Sequence, residues 1–416
     1  MSRPRRLVLS GTMAMNPYAG MAWMHMQIAA GLLRLGHDVY YIEASASWPY
    51  DPVRSARVND TDYAVPYVAR MAEKFGMAGR WGFRASFSDR QWHGMSQTRA
   101  EDLLLTADAV LNLAGGSHLR SVEELKVGHL VYLGTDPVFP EVGYATGDAW
   151  AVKTVDEHDV CVTYGENIGT PDCPLPPLPR LAGHTRQPVI MDMWESGAPA
   201  GRTFTTVCNW KQEGHDIEFQ GEQYYWSKHR EFLKFLALPA RTGLEFELAM
   251  GLTGAAPARD EHGEIVWKRP GKGNAILAVG MTMAERQQLF DHGWHIANAH
   301  EITMEPEPYH AYICQSRGEF TVAKDQNVRL NTGWFSERSA CYLAAGRPVV
   351  TQDTGFGRIL PTGEGLFAFN TLDEAQAAVE AINSDYDRHS RAARMIAAEY
   401  FASERVLPAL LADLGL

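Results

Sequence analysis

The sequence predicts an α/β protein built from two parallel-sheet domains, and three observations carry that prediction. Strand-like apolar runs alternate with helix-period segments along almost the whole chain, the signature of parallel strands joined by crossover helices. The 416 residues exceed what one hydrophobic core usually serves, so two domains of roughly 200 residues each are expected. Near the middle the alternation stops at Ile168-Gly-Thr-Pro-Asp-Cys-Pro-Leu-Pro-Pro-Leu-Pro179. Closely spaced prolines block both helix and central strand, so this stretch reads as an extended connector, with the domain boundary inside 168–188.

In the first domain, 1–178, Arg6-Leu-Val-Leu-Ser10 reads as a strand, 16–20 as a loop and 21–35 as a helix that Gly36 ends. Val39-Tyr-Tyr-Ile-Glu43 is the next strand. Periodicity breaks down over 48–97, an irregular insertion rich in aromatics (Trp48, Tyr50, Tyr63, Tyr67, Trp81, Phe83, Phe87, Trp92). Long irregular stretches inside a domain are commonly functional, and these rings could floor a pocket for a flat apolar ligand. A helix over 98–107, strands over 109–115 and 129–135, a helix over 147–157 and a strand over 160–164 follow. The second domain, 189–387, restarts with a strand over 203–209 and a helix over 228–235. Next come a strand over 244–250 and helices over 283–292 and 309–315. Then comes the unit Thr332-Gly-Trp-Phe-Ser-Glu-Arg-Ser-Ala-Cys-Tyr-Leu-Ala-Ala-Gly-Arg-Pro-Val-Val-Thr-Gln-Asp-Thr-Gly355. It reads as a Gly-aromatic turn, a helix ending at Gly346 and a short strand. A helix closes the domain over 373–382, and 388–416 reads as one long helical tail.

Composition narrows the function classes. Apolar residues make up 45% and charged residues 21% of the chain, a folded and not a disordered balance. No run of ~18 uninterrupted apolar residues exists, so no membrane insertion is expected, and Leu7–Leu9 is too short for a signal core. The five cysteines, Cys161, Cys173, Cys208, Cys314 and Cys341, never stand as C-x-x-C, which points to reduced thiols and a cytoplasmic location. A net charge of −12 disfavours nucleic acid as a partner while leaving room for a nucleotide, which needs only a few local donors.

In open parallel sheets ligands bind beyond the carboxyl ends of strands. In the second domain that singles out Asn209, Arg317 and Glu319, the turn Thr332, Gly333, Trp334 and Ser336, and Asp353, Thr354 and Gly355. A helix start with Gly333 and Ser336 in its first turn offers backbone N–H groups and a hydroxyl to an anion. In the first domain Asp136 follows a strand in Gly-Thr-Asp-Pro137 and Glu166 follows another. Metal signals are weak: Asp60-Thr-Asp62 and Asp385-Tyr-Asp387 follow no strand, and His292, His295 and His300 lack a fourth ligand. The 11–20 loop lacks G-x-G-x-x-G, so no dinucleotide fingerprint is present.

The helix of 336–345, its Ala-Ala-Gly-Arg-Pro-Val-Val350 exit and Pro361-Thr-Gly-Glu-Gly-Leu-Phe-Ala-Phe369 resemble the nucleotide-sugar half of GT-B glycosyltransferases of the group 1 type. The opening strand–helix–strand with Arg34-Leu-Gly-His-Asp-Val-Tyr-Tyr-Ile-Glu43 resembles their acceptor half. The resemblance implies two Rossmann-like domains with a cleft between them and a C-terminal helix, 388–416, crossing back. It implies a metal-independent hexosyltransferase that uses a nucleoside diphosphate sugar (UDP or dTDP) as co-substrate with no cofactor. The acceptor would be a small apolar natural product, and a homodimer is compatible. A nucleotide-sugar epimerase and a non-catalytic nucleotide-sugar binder are the alternatives. Lys228 would neutralise the diphosphate, with Arg317 and Lys324 as substitutes. For an inverting reaction the base would be Asp136, His25 on the first helix or Glu166, and Asp136 and His25 could act as a pair in which the carboxylate orients the imidazole. The paired glutamates of the retaining subgroup are absent, since Cys341 and Gly333 occupy their places. The His-Cys-Gly-Trp-Asn-Ser signature of the inverting plant-like subgroup is incomplete at Thr332–Ser336. The stereochemical class stays open.

Overall fold

Two parallel sheets organise the computed structural model, which describes residues 3–88, 90–195, 197, 200–250, 257–259, 265–267, 277–279 and 281–416. The chain divides into two units. Unit 1 comprises Met1–Gly169, Leu175–Ile190 and Phe401–Leu416; unit 2 comprises Thr170–Pro174 and Met191–Tyr400.

Unit 1 carries eight strands in one sheet: β1 (Arg6–Ser10), β2 (Asp38–Ser45), β3 (Trp81–Ala85), β4 (Trp92–His93), β5 (Ala109–Leu113), β6 (Leu130–Gly134), β7 (Val160–Thr163) and β8 (Leu181–His184). Their spatial order is β8-β7-β6-β5-β1-β2-β3-β4. Every pairing is parallel except β3 with β4. The central strands are buried almost throughout, as expected for a sheet covered on both faces, while the edge strands β8 and β4 are not. The strand order reverses between β1 and β5, so the crevice at their carboxyl ends is where such a sheet takes a ligand. The helix Ala19–Arg34 is buried over nearly all of its length because it also meets the terminal helix Ser403–Asp413. Gly31 permits that approach: a Cβ there would stand 2.6 Å from Leu407 Cδ1.

Unit 2 is built on β9 (Thr203–Cys208), β10 (Glu245–Met250), β11 (Trp294–Asn298), β12 (Gly318–Thr321), β13 (Val349–Gln352) and β14 (Leu366–Phe369). They run parallel in the order β11-β10-β9-β12-β13-β14. Phe204, Trp210, Phe235, Phe246, Trp294, Phe320 and Phe369 form one aromatic core beneath this sheet. Here the order reverses between β9 and β12.

Several elements differ from the sequence expectation. The segment 48–97 is not irregular. It contains the helix Ala64–Lys74 and β3, and Tyr50, Tyr67, Trp81 and Phe83 are buried in the core. Ala64, Tyr67, Val68, Met71 and Ala72 make a buried stripe at helical spacing; Pro66, which is tolerated in a first turn, hid it. The expected helix over 147–157 is two helices, Phe139–Thr146 and Ala149–Asp156, separated at Gly147, whose φ of 78° closes the first. The tail over 388–416 is not one helix: Tyr386–Ile396 belongs to unit 2, a π-turn spans Ala397–Phe401, and Ser403–Asp413 belongs to unit 1. The stretch 175–190 is not only a connector, because β8 lies inside it. No helix among the described residues is long and apolar enough to cross a membrane.

Candidate active site

At the carboxyl ends of β9 and β12 unit 2 gathers a set of cations. Lys228 caps the short helix His229–Phe232 and is buried, with its ammonium 5.8 Å from the Trp334 ring centre. Among the described residues no carboxylate pairs with it. Burial first, then the Arg338 guanidinium, push its pKa down to about 8. Lys324, just past β12, lies 4.4 Å over the Trp226 ring. Arg338 is locked: its Nε donates to Glu319 Oε1 at 2.5 Å, Nη1 to the Val207 carbonyl at 2.6 Å and Nη2 to Thr321 Oγ1 at 3.1 Å. Glu319 on β12 is fully buried and also accepts from Thr206 Oγ1 at 3.2 Å. Its carboxylate is thereby committed to holding Arg338.

The turn ahead of the helix Glu337–Ala344 is tied to the end of β13. Gly333, at φ 74°, donates its N–H to the Thr354 carbonyl at 2.7 Å, and Thr354 Oγ1 donates to the Trp334 carbonyl at 2.6 Å. The Thr332 hydroxyl accepts the Trp334 N–H at 3.3 Å and donates to Asn327 Oδ1 at 3.0 Å. Asp353 accepts the Gly355 N–H at 2.8 Å, and Gly355 also has a positive φ, 86°. Gly333 is therefore not in the helix's first turn and its N–H is already used, which corrects the expectation that it offers that group to an anion. The helix ladder starts with Ala340 N–H to the Ser336 carbonyl at 3.1 Å, so the N–H groups of 337–339 precede its first bond. Ser336 caps without a side-chain bond and lies 3.5 Å from Glu337 Oε2. Asn209 is exposed just after β9. Arg317 is misplaced by the sequence reading: β12 begins at Gly318, so Arg317 sits at the strand's amino end. There it donates to Asn383 Oδ1 at 2.9 Å and lies 3.9 Å over Tyr386.

In unit 1 the three catalytic candidates are held separately. His25 is fully buried, its Nε2 accepts the Thr12 N–H at 3.2 Å, and its Nδ1 meets the Met21 carbonyl at 2.7 Å. Burial pushes its pKa down to about 4, so it is a neutral strut of the loop after β1. The expected His25–Asp136 pair is not formed. Glu166 is half-buried and pairs with Arg186 at 2.5 Å; burial raises its pKa against that partner. Asp136 follows β6 and borders a strained turn. Val138 has φ 96° and ψ −61°, a conformation a β-branched residue rarely takes. Its N–H donates to Glu141 Oε2 at 2.7 Å. Burial, with a smaller contribution from Asp136, pushes the Glu141 carboxyl up to about 7 despite that bond.

The loop after β1 is clamped by buried side chains as well. Ala14 and Met15 donate their N–H groups to Glu43 Oε2 and Oε1 at 2.7 and 3.0 Å, and Met13 donates to the Tyr41 hydroxyl at 3.0 Å. Tyr41 donates in turn to Glu43 at 2.5 Å. Among the described residues no group of three or more His, Cys, Asp or Glu side chains is arranged to hold a metal ion.

Sequence reasoning missed Arg338, Glu141 and Glu43. Arg338 had a legible signal: a cation in a helix's first turn opposes the macrodipole, and a local conflict of that kind marks a functional position.

No known family model matches the chain, and no curated protein sequence does. Solved structures do match. An alpha-glucosyltransferase in complex with UDP-glucose and DNA containing an abasic site aligns over 100% of both chains at 9% identity, TM-score 0.55. Anabaena HepE in complex with UDP aligns over 99% of both at 9% identity, TM-score 0.52. AviGT4, a glycosyltransferase involved in avilamycin A biosynthesis, aligns over 98% of this chain and 96% of that one at 13% identity, TM-score 0.50. These likenesses define the architecture: the chain has the GT-B glycosyltransferase fold, with two Rossmann-like units. They also correct one expectation. Structures with this fold include alpha-glucosyltransferases in complex with DNA, so a net charge of −12 does not exclude nucleic acid. Net charge is a property of the whole surface, whereas phosphate contact depends on local cations.

Proposed function

We propose that the protein is a glycosyltransferase that takes its sugar from a nucleoside diphosphate sugar bound at the β9/β12 end of unit 2. The observation that carries this reading is Lys228, a buried ammonium with no carboxylate partner among the described residues, beside the locked Arg338 guanidinium. A buried charge without a counter-ion is costly unless a ligand supplies one. A diphosphate supplies it, and its charge grows as the glycosidic bond breaks, so Lys228 favours the transition state over the ground state. The N–H groups at the start of Glu337–Ala344 can take further phosphate oxygens. The UDP and UDP-glucose in the similar structures agree with this ligand class.

With cations of the chain itself balancing the diphosphate, transfer needs no added metal and proceeds in chelator. Asp136, two residues past the end of β6 at the carboxyl edge of the unit 1 sheet, is the acceptor-activating base in this reading. The five free thiols fit a reducing, cytoplasmic setting. Of the insertion rings Tyr50, Tyr67, Trp81 and Phe83 are buried while Trp48 is exposed, and the acceptor panel therefore includes duplex DNA, free sugars and small aromatic alcohols. Incubation with UDP-glucose and dTDP-glucose, with and without that panel, tests the reading. Acceptor-dependent release of nucleoside diphosphate supports it. Epimerised donor, or nucleotide binding with no turnover on any acceptor, overturns it in favour of an epimerase or a binding protein.

A further inference from the structure

Beyond β2 the chain folds into a short antiparallel hairpin, Tyr50–Asp51 against Ala56–Arg57. Arg57 ties it to the loop after β1, at the carboxyl edge of the unit 1 sheet. Two arginines of this hairpin keep different company. Arg54 is ringed by acids: its Nε meets Asp51 at 3.1 Å, Nη1 meets Asp60 at 2.5 Å and Nη2 meets Asp62 at 3.3 Å. Arg57 pairs with no carboxylate among the described residues. Its Nη1 donates to the Met15 and Trp48 carbonyls at 2.7 and 3.1 Å, and its Nη2 to Asn16 Oδ1 at 2.8 Å. Its guanidinium carbon lies 6.0 Å from the Tyr50 ring centre, and the Tyr18 ring stacks on Tyr50 at 5.5 Å. Burial lowers the Arg57 pKa, and only the two tyrosines act against that. The side chain is nonetheless partly exposed, and its Nε, unlike that of Arg84, is not closed off from solvent.

We infer that Arg57 binds one oxyanion, a carboxylate or a phosphoryl group, carried by a small acceptor. The criterion that selects Lys228 in unit 2 also selects Arg57 in unit 1: a largely buried cation without a counter-ion is costly unless a ligand supplies one. Three neutral acceptors leave two of its N–H groups, Nε–H and one on Nη2, with no acceptor among the described residues. Two N–H groups suit a single oxyanion. The helix Ala19–Arg34 begins beside this point with no acidic residue in its first turn and no side-chain cap, so its dipole favours negative charge there and nothing on the helix start opposes it. Trp48, whose carbonyl Arg57 holds, exposes its ring as a face for the body of the acceptor. A polyanion does not fit, because tracking many phosphates needs a run of cations and the hairpin instead carries the aspartates around Arg54. The word acceptor rests on the proposed transfer reaction; the anion site itself does not, since no residue of the nucleotide site takes part.

The test compares matched anionic and neutral ligands by saturation-transfer NMR titration, with UDP present to occupy the nucleotide site. The pairs are D-glucuronate with methyl glucoside, para-hydroxybenzoate with para-hydroxybenzamide, and glucose 6-phosphate with D-glucose; the first two report a carboxylate and the third a phosphoryl group. At least one anion is expected to bind the wild type at least about tenfold more tightly than its neutral partner. Arg57→Met should abolish that preference and Arg57→Lys should keep part of it. The wild-type comparison decides the matter even if Arg57→Met unfolds: no anion preference in any pair overturns the proposal. A preference undiminished in folded Arg57→Met overturns it too, as does a duplex oligonucleotide that binds more tightly than every small anion and loses that advantage in Arg57→Met. Release of nucleoside diphosphate from UDP-glucose is followed separately. Its absence with every acceptor counts against transfer, whereas the anion preference persists if this site is real.

Discussion

The Lys228 ammonium is buried beside the Arg338 guanidinium and faces the Trp334 ring. The resemblance placed a lysine near the nucleotide; nothing in Trp226-Ser-Lys228 announced that folding would bury it and set Arg338 beside it. That environment makes a pH prediction. A lysine pushed down to about 8 is charged below that pH and neutral above it. UDP affinity of the free enzyme should therefore hold at neutral pH and fall as pH rises through about 8. Lys228→Arg, which cannot lose its proton in this range, should flatten the profile in an isothermal titration series. An unchanged profile in that variant would show that another group controls binding. On unit 1, Asp136→Asn should lower turnover by roughly 10²–10⁴-fold, the range for a positioned acid–base group, with UDP affinity preserved. Glu141→Gln should lower turnover less, by loosening the Val138 turn that borders Asp136, and Val138→Gly in that background should not restore it. Full activity of Asp136→Asn would retire the residue as a base.

Between residue and domain, the telling element is the loop after β1, four of whose N–H groups are taken by His25, Tyr41 and Glu43. Strand β2 was readable from Val39-Tyr-Tyr-Ile-Glu43, but strand alternation alone gave no reason for a glutamate to face inward. Only the three-dimensional return of the loop supplies its donors. Burial pushes Glu43 up to about 7, so between about pH 4.5 and 7 the folded chain keeps a proton that the unfolded chain has lost. The contribution is present below the unfolded value and is lost as pH rises to about 7, an effect of order 3 kcal/mol. Denaturant unfolding across this window should show it as the difference between wild type and Glu43→Gln, falling with pH and flat above 7. A difference that rises with pH would mean the carboxylate is ionised in the fold. The same contrast explains the insertion: aromatic content was visible, but which rings enter a core depends on β3 pairing with β2, a contact that no local pattern encodes.

At the scale of the whole chain, alternation and length gave the fold class because both are summed over many residues and tolerate local error. The break inside 388–416 escaped because the helical period continues through the π-turn while the chain passes from one unit to the other. Removing 401–416 strips Val406, Leu407, Leu410 and Leu411, all buried, from unit 1. Each unit has its own sheet, so unfolding need not be all-or-none. The truncated protein should show one transition moved to lower denaturant and one unchanged; a single unmoved transition would mean the returning helix adds nothing. That return also sets an order of events during synthesis. The first sheet to leave the ribosome waits for its last helix until the second unit has been translated in full. At ~5–20 residues per second, the more than 200 residues of Met191–Tyr400 hold the face of Ala19–Arg34 open for roughly ten seconds or longer. For that interval the nascent chain exposes an apolar surface to chaperones, and the half of the protein made second is the first that can be finished.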